Sequence, residues 1–276
     1  MKRLWAAFFG VGMLAVFLLG GCSRTGGQEQ EKDGTSVRQE AGSGITQSED
    51  VPKAEPTETM EEKTAESISS EPGPATLLYQ GQASIRIVTD EGKVIYIDPY
   101  SGDGYDLPAD LILVTHPHFD HNQTDKVENR NPGCRLITQD EAIQNGEHQI
   151  FEFGFVTVEA VEAGYNSLHD VQECVGYVLT FSNGCSVYVT GDTSRTEQMP
   201  LLAEKEIDYA FFCCDGVYNM GLEEAAECAA LVKAKHNIPY HMTTNTTGRQ
   251  FDRELAEQFD VPDRLIVEDG EEIRIE

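Results

Sequence analysis

Residues 115 to 121 read Thr-His-Pro-His-Phe-Asp-His and follow an apolar run, Leu111-Ile112-Leu113-Val114. Three of the chain's seven histidines and one carboxylate therefore sit at the end of a predicted buried strand. His116 and His118 are two residues apart, so in extended backbone their imidazoles project from the same side. Asp120 and His121 follow at once, where the chain must leave the strand. Imidazole with carboxylate is a donor set for zinc or a similar borderline cation, whereas structural zinc sites in small domains lean on cysteine. Without a cation, four such groups packed together would be desolvated and unsatisfied, which is costly. The residue types and their spacing predict a metal site, in preference to a polar surface loop after a strand.

The elements around it must hold that segment still. Short strand-like runs dominate the first half of the region from Thr76: Leu77–Tyr79, Ser84–Val88, Val94–Ile97, Leu111–Val114, Phe151–Phe153 and Phe155–Val158. Gly176–Phe181 and Ser186–Thr190 predict another strand pair, and Ala210-Phe211-Phe212 a further apolar strand. Leu222–Lys235 is rich in good helix formers, with acids at its start and lysines at its end as the macrodipole prefers. Phe251–Phe259 predicts a shorter helix, and Arg264–Val267 and Glu272–Ile275 predict closing strands. This α/β alternation fits two layered sheets with helices outside.

The His-x-His-x-Asp-His segment resembles the metal-binding motif of the metallo-β-lactamase superfamily, and the chain from about Thr76 onward resembles it too. Gly81-Gln82-Ala83-Ser84 and the strand after it are similar to the first strands of that fold, and Ile97-Asp98-Pro99 to a characteristic strand end. Gly191-Asp192-Thr193 matches the motif that supplies a bridging aspartate, and Pro239-Tyr240-His241 the motif that supplies the last ligand. The wording is closest to the branch that contains ascorbate-phosphate lactonase, whose members carry a histidine where this chain has Gln82. The resemblance implies a four-layer αβ/βα sandwich over 76–276 and places a middle histidine ligand at His169.

It also implies two divalent ions, with zinc expected and manganese or iron compatible with the same donors. One would use His116, His118 and His169, the other Asp120, His121 and His241, with Asp192 bridging. Ions so placed bring a water's pKa from 15.7 to about 7, and the resulting hydroxide would attack a carbonyl or phosphorus centre. Asp120 is the expected catalytic residue, holding and orienting the remaining proton of that hydroxide. Tyr165, Asn166, Tyr218 and Thr243 adjoin ligand positions and are candidates for substrate contact or ligand support. His236 reads as a helix-end cation, and His148 as incidental.

The N-terminus predicts a location. Lys2-Arg3 precedes an apolar stretch from Leu4 to Leu19, and Leu19-Gly20-Gly21-Cys22 resembles a bacterial lipobox. The stretch is short for a membrane span, which needs about 20 apolar residues. Residues 1–21 are therefore read as a lipoprotein signal peptide, with lipidated Cys22 as the membrane partner. From residue 22 to 75 Gly, Ser, Thr, Gln, Glu and Pro dominate and aromatics are absent, the composition of a disordered tether that cannot offset its ordering entropy.

The formal charge of −28 disfavours a nucleic-acid partner. No Gly-x-Ser-x-Gly elbow offers a serine nucleophile. Besides Cys22, six cysteines lack the spacing of a disulfide framework and read as buried thiols, with a thiolate ligand at Cys213 or Cys214 as the alternative. The expected function is an extracytoplasmic, membrane-tethered hydrolase of a small ester, lactone or phosphodiester. The competing reading is a surface lipoprotein that only binds metal or a solute.

Overall fold

A computed structural model of the chain describes residues 74–244 and 250–276. The expected signal peptide and nearly all of the expected tether lie outside the described residues. The first strand, β1 (Ala75–Gly81), takes in one residue assigned above to the tether. It leads through β2 (Ser84–Val88), β3 (Val94–Ile97), β4 (Ala109–Leu113) and β5 (Arg130–Ile137) to a short helix α1 (Gln139–Ala142). A small hairpin of β6 (Ile143–Gln144) and β7 (Glu147–His148) follows. Next come β8 (Ile150–Glu152), β9 (Val156–Glu162), β10 (Val175–Phe181) and β11 (Ser186–Val189). The remaining elements are α2 (Met199–Leu202), β12 (Tyr209–Cys213), α3 (Leu222–Val232), β13 (His236–Tyr240), α4 (Arg253–Ala256) and β14 (Glu271–Ile275).

Two six-stranded sheets result, ordered β14-β1-β2-β3-β4-β5 and β8-β9-β10-β11-β12-β13. In both, the first three pairings in these orders are antiparallel and the last two parallel. The two sheets thus share one pairing pattern, and each contributes three parallel neighbours. Sites in such sheets form at the carboxyl ends of parallel strands, and six of the candidate ligands follow β4, β11 and β13, while His169 comes from the loop between the antiparallel β9 and β10.

Side-chain alternation sorts the layers. In β3 and β4, Ile95, Ile97, Leu111 and Leu113 enter the core between the sheets, while Tyr96 and Ile112 pack outward on Tyr105 and Val127. From the second sheet Tyr177, Leu179, Val187, Val189 and Phe211 join the same core. Each such side chain contributes roughly 1.5–3 kcal/mol when fully buried. Strand β12 is buried at every position because its outer face is covered too, with Phe212 meeting Phe259 and α3 packing alongside.

Several sequence expectations need correction. Arg264–Val267 is not a strand, since Arg264 makes only an isolated bridge to Asn237. The predicted helix 222–235 ends at Val232, because Lys233 adopts a left-handed conformation at φ 58° and turns the chain into β13. His236 consequently opens a strand instead of ending a helix, and its ring stacks on Tyr209 at 4.9 Å. The helix expected over 251–259 shrinks to α4, capped by the Asp252 side chain accepting from Leu255 N–H. Strand β5 was not foreseen, being a polar edge strand that contains Pro132-Gly133 and is irregular in register.

The candidate metal centre

The motif leaves β4 at Val114, whose carbonyl accepts from the Tyr177 hydroxyl at 2.9 Å, while Thr115 C=O accepts from Val175 N–H at 3.0 Å. These bonds pin the motif of the first sheet to β10 of the second. Asp98, at the end of β3, is fully buried and held at φ 45°. Its two carboxylate oxygens accept from Thr115 N–H and Thr115 Oγ1–H, both at 2.7 Å, and Oδ2 also faces His121 Nδ1 at 2.8 Å. A carboxylate can only accept here, so Nδ1 of His121 carries a proton and the neutral ring offers Nε2 to a cation.

The same logic orients the other imidazoles. Thr115 Oγ1 donates its one hydrogen to Asp98, so it accepts from His116 Nδ1 at 3.0 Å and leaves His116 Nε2 free. Asn166 Oδ1 accepts from His169 Nδ1 at 3.1 Å and from the backbone N–H of Leu168 and His169. Asp215, two residues past β12, only faces His241 Nδ1 with Oδ2 at 3.5 Å, an ion-pair contact that leaves this nitrogen without a hydrogen bond. Thus His116, His121, His169 and His241 all present Nε2 to one point, while His118 presents Nδ1, 3.1 Å from His116 Nε2. Orienting partners of this kind are what metal-bound histidines require.

Asp192 occupies the centre. It follows Gly191, whose φ of 63° and close approach to Val175 C=O and Thr115 exclude a side chain. Asp192 Oδ1 lies 3.4 Å from His121 Nε2; Oδ2 lies 3.3 Å from His169, 3.4 Å from His241 and 3.9 Å from His116 Nε2. The His169 loop reaches it because Gly164 bridges Thr193 and Gly164 N–H donates to Asp192 C=O at 3.1 Å. Three donor groups converge well enough to hold a cation: His116, His118 and His169; His116, His121 and Asp192; and Asp120, His121 and His241.

The chemistry of the donors fits a metal. His121 Nε2 and Asp192 Oδ1 are buried and lack any hydrogen-bond partner, although they face each other. Burial drives the His121 pKa down, but Asp192 and Asp98 outweigh it and hold the imidazole well above its usual range. Burial likewise raises the Asp192 pKa, yet His241 and His121 pull it well below the carboxylate range. His116, buried and next to His121, is held well below the usual histidine value. Asp192 thus demands positive charge beside it, which without a cation His121 supplies at the cost of its own burial, and which a bound cation would supply in its place.

All seven residues expected as ligands are brought together. Gln82, noted above only as a departure, is part of the site. Its φ is 52°, its carbonyl accepts from His241 N–H at 3.0 Å, and its amide Nε2 lies 3.0 Å from Asp120 Oδ2 and 2.9 Å from His241 Nε2. Asp98 was not foreseen as an orienting group, nor Asp215 as the carboxylate facing His241. Of the substrate-contact candidates, Tyr218 lines the cavity over the ligands and Asn166 supports His169, whereas Tyr165 turns to a separate cavity with His148. Thr243 instead bonds Gln250 C=O, and Thr244 lines the cavity. Cys213 and Cys214 are free, buried thiols outside the donor groups, and burial raises the pKa of both.

Comparison with known proteins gives the family. Residues 76–241 match the beta-lactamase superfamily domain. A UPF0173 metal-dependent hydrolase of Cupriavidus metallidurans is 31% identical over 221 residues, covering 64% of this chain and 76% of that protein. The chain belongs to this family of metal-dependent hydrolases. A UPF0173 member from Thermodesulfovibrio yellowstonii is 27% identical over 249 residues, covering 74% of this chain and 93% of the relative. Among solved structures, the metallo hydrolase Igni18 of Ignicoccus hospitalis superposes with a TM-score of 0.59 at 21% identity, covering 74% of this chain and 99% of that one. That likeness speaks for the fold, a metallo-β-lactamase fold of sheets flanked by helices.

Proposed function

We propose that this UPF0173 hydrolase works with two divalent ions on a small ester, lactone or phosphodiester. The observation that carries the reading is Asp192, whose carboxylate lies within 3.9 Å of ring nitrogens from both candidate groups, His116 and His169 on one side and His121 and His241 on the other. His116, His118 and His169 would hold one ion, Asp120, His121 and His241 the other, and Asp192 both. Such ions supply an activated water at neutral pH and polarise the substrate oxygen. Zinc is the expected metal, since imidazole and carboxylate suit it.

The protein's own groups do the remaining work. Asp120 borders the cavity with its side chain only partly buried, so its Oδ2 is placed to take and hold a proton from the attacking water. The Gln82 amide, 3.0 Å away, fixes that carboxylate. Asp98, Thr115 and Asn166 keep three imidazoles aimed, so the ligand frame is preorganised before substrate arrives.

Elemental analysis of the purified domain checks the metal count, and about two transition-metal ions per chain are expected with hydrolysis of at least one lactone, thioester or phosphodiester. One ion or none in a fully loaded, active preparation contradicts the two-metal reading. Two ions without turnover would instead support a protein that only binds metal.

The enzyme is further proposed to act outside the cytoplasm on a lipid anchor at Cys22, a reading supported by Lys2-Arg3, the apolar run and Leu19-Gly20-Gly21-Cys22. No helix among the described residues is long and apolar enough to cross a membrane. The Cys22→Ser protein should appear in the soluble fraction or accumulate as unprocessed precursor. Full membrane retention of a cleaved Cys22→Ser protein would contradict the anchor.

A further inference from the structure

Large hydrophobic side chains left in water are concentrated around the metal centre. Phe119, Leu168, Val217 and Tyr218 are all exposed and belong to the three loops that carry His118 and Asp120, His169, and Asp215; Tyr165 is exposed toward a separate cavity, and Ile150 and Leu201 elsewhere. Exposed apolar side chains gathered in one place mark a binding surface more often than a solubility accident. Phe119, Leu168 and Tyr218 are 62%, 52% and 47% exposed and line a cavity of about 390 Å³ together with His118, Asp120, His169, Asp192 and His241.

These side chains are held by groups that also face the ligands. Asn166 Oδ1 accepts from both Leu168 N–H and His169 Nδ1. Asp215 accepts from Tyr218 N–H at 2.6 Å through Oδ1 while Oδ2 faces His241. Phe119 sits between the donors His118 and Asp120 and packs edge-on against Tyr100 at 5.7 Å. The apolar collar and the ligand frame are one construction.

Charge narrows what fits. No lysine or arginine is among the described residues lining the cavity, whose polar groups besides the candidate ligands are Gln82, Thr244 and the Tyr218 hydroxyl. Among the described lining residues, a second anionic group on a substrate therefore finds no cationic side chain to pair with. We propose that the cavity takes neutral esters or lactones with an apolar acyl or alkyl group, the chain lying among Phe119, Leu168 and Tyr218 and the carbonyl over the donor cluster. This substrate class rests on the hydrolase reading above.

The test uses metal-loaded protein and three 4-nitrophenyl esters, the acetate, the hexanoate and the half-ester of adipic acid, which ends in a carboxylate. A fully buried methylene multiplies affinity by roughly four, so even partial burial of four more should raise kcat/KM from acetate to hexanoate at least about tenfold. The adipate half-ester should fall below the hexanoate by a similar factor. Methyl ketones from 2-butanone to 2-octanone, which cannot be hydrolysed, should raise the melting temperature increasingly with length. Leu168→Ser and Tyr218→Ser should flatten both trends, and the distant Leu201→Ser should not. Turnover without a chain-length trend, or preference for the adipate half-ester, overturns the apolar assignment and leaves the hydrolase reading standing. A ketone trend with no turnover of any of the three esters overturns the ester assignment, and hydrolysis of a phosphodiester by the same preparation would leave the hydrolase reading standing.

Discussion

Asp192→Ala should abolish hydrolysis, lowering kcat/KM by about 10³-fold or more, beyond the 10²–10³ typical of losing a single transition-state hydrogen-bond donor. Asp192 lies within 4 Å of four imidazoles drawn from both proposed positions, so its loss should empty both. A second readout is thermodynamic. A metal that binds only the folded state adds about 4 kcal/mol at a thousand times its Kd. The wild-type protein should therefore melt well below its loaded form after chelation, and Asp192→Ala should show little of that gap. His236→Ala is the control, because that ring sits on Tyr209 at the other end of β13 and should leave turnover nearly intact. An active, fully loaded Asp192→Ala protein would remove the bridge from the mechanism.

Asp98→Ala should damage stability and metal binding together. The carboxylate is wholly buried and accepts from Thr115 N–H, Thr115 Oγ1–H and His121 Nδ1, so truncation leaves three buried donors unpaired. Urea unfolding should show a loss of about 3 kcal/mol or more, the range for breaking one side of a buried charged network. Metal affinity should fall about 10–100-fold, as when a partner that orients a metal-bound histidine is removed. Asp98→Asn is informative because its size is unchanged while one acceptor becomes a donor aimed at another donor. Wild-type stability and occupancy in both variants would show that β3 does not orient the site.

Much of this was written locally. His116, His118, Asp120 and His121 lie within six residues after an apolar strand, and their chemistry is unusual enough that spacing alone pointed to a metal. Strand β2 was legible by its alternation and β3 as a continuous apolar run, since one face of the first and both faces of the second had to be buried. Asp192 and His241 were legible only by resemblance, since one carboxylate or one imidazole at a strand end has many ordinary uses. The polar edge strand β5 carried no period that separates it from a loop.

The sequence by itself determined the motif donors His116, His118, Asp120 and His121, the two-sheet class and the acidic character of the chain, because each depends on residue type or on short-range period. Only the tertiary structure decided which nitrogen His116, His121 and His169 offer. That choice rests on Asp98, Thr115 and Asn166, brought from β3, β4 and a loop to the same sheet ends. It also decided that Phe119, Leu168 and Tyr218, far apart along the chain, share one cavity. Both are consequences of long-range pairing, in which parallel strands of two sheets end at one place and their loops must meet there.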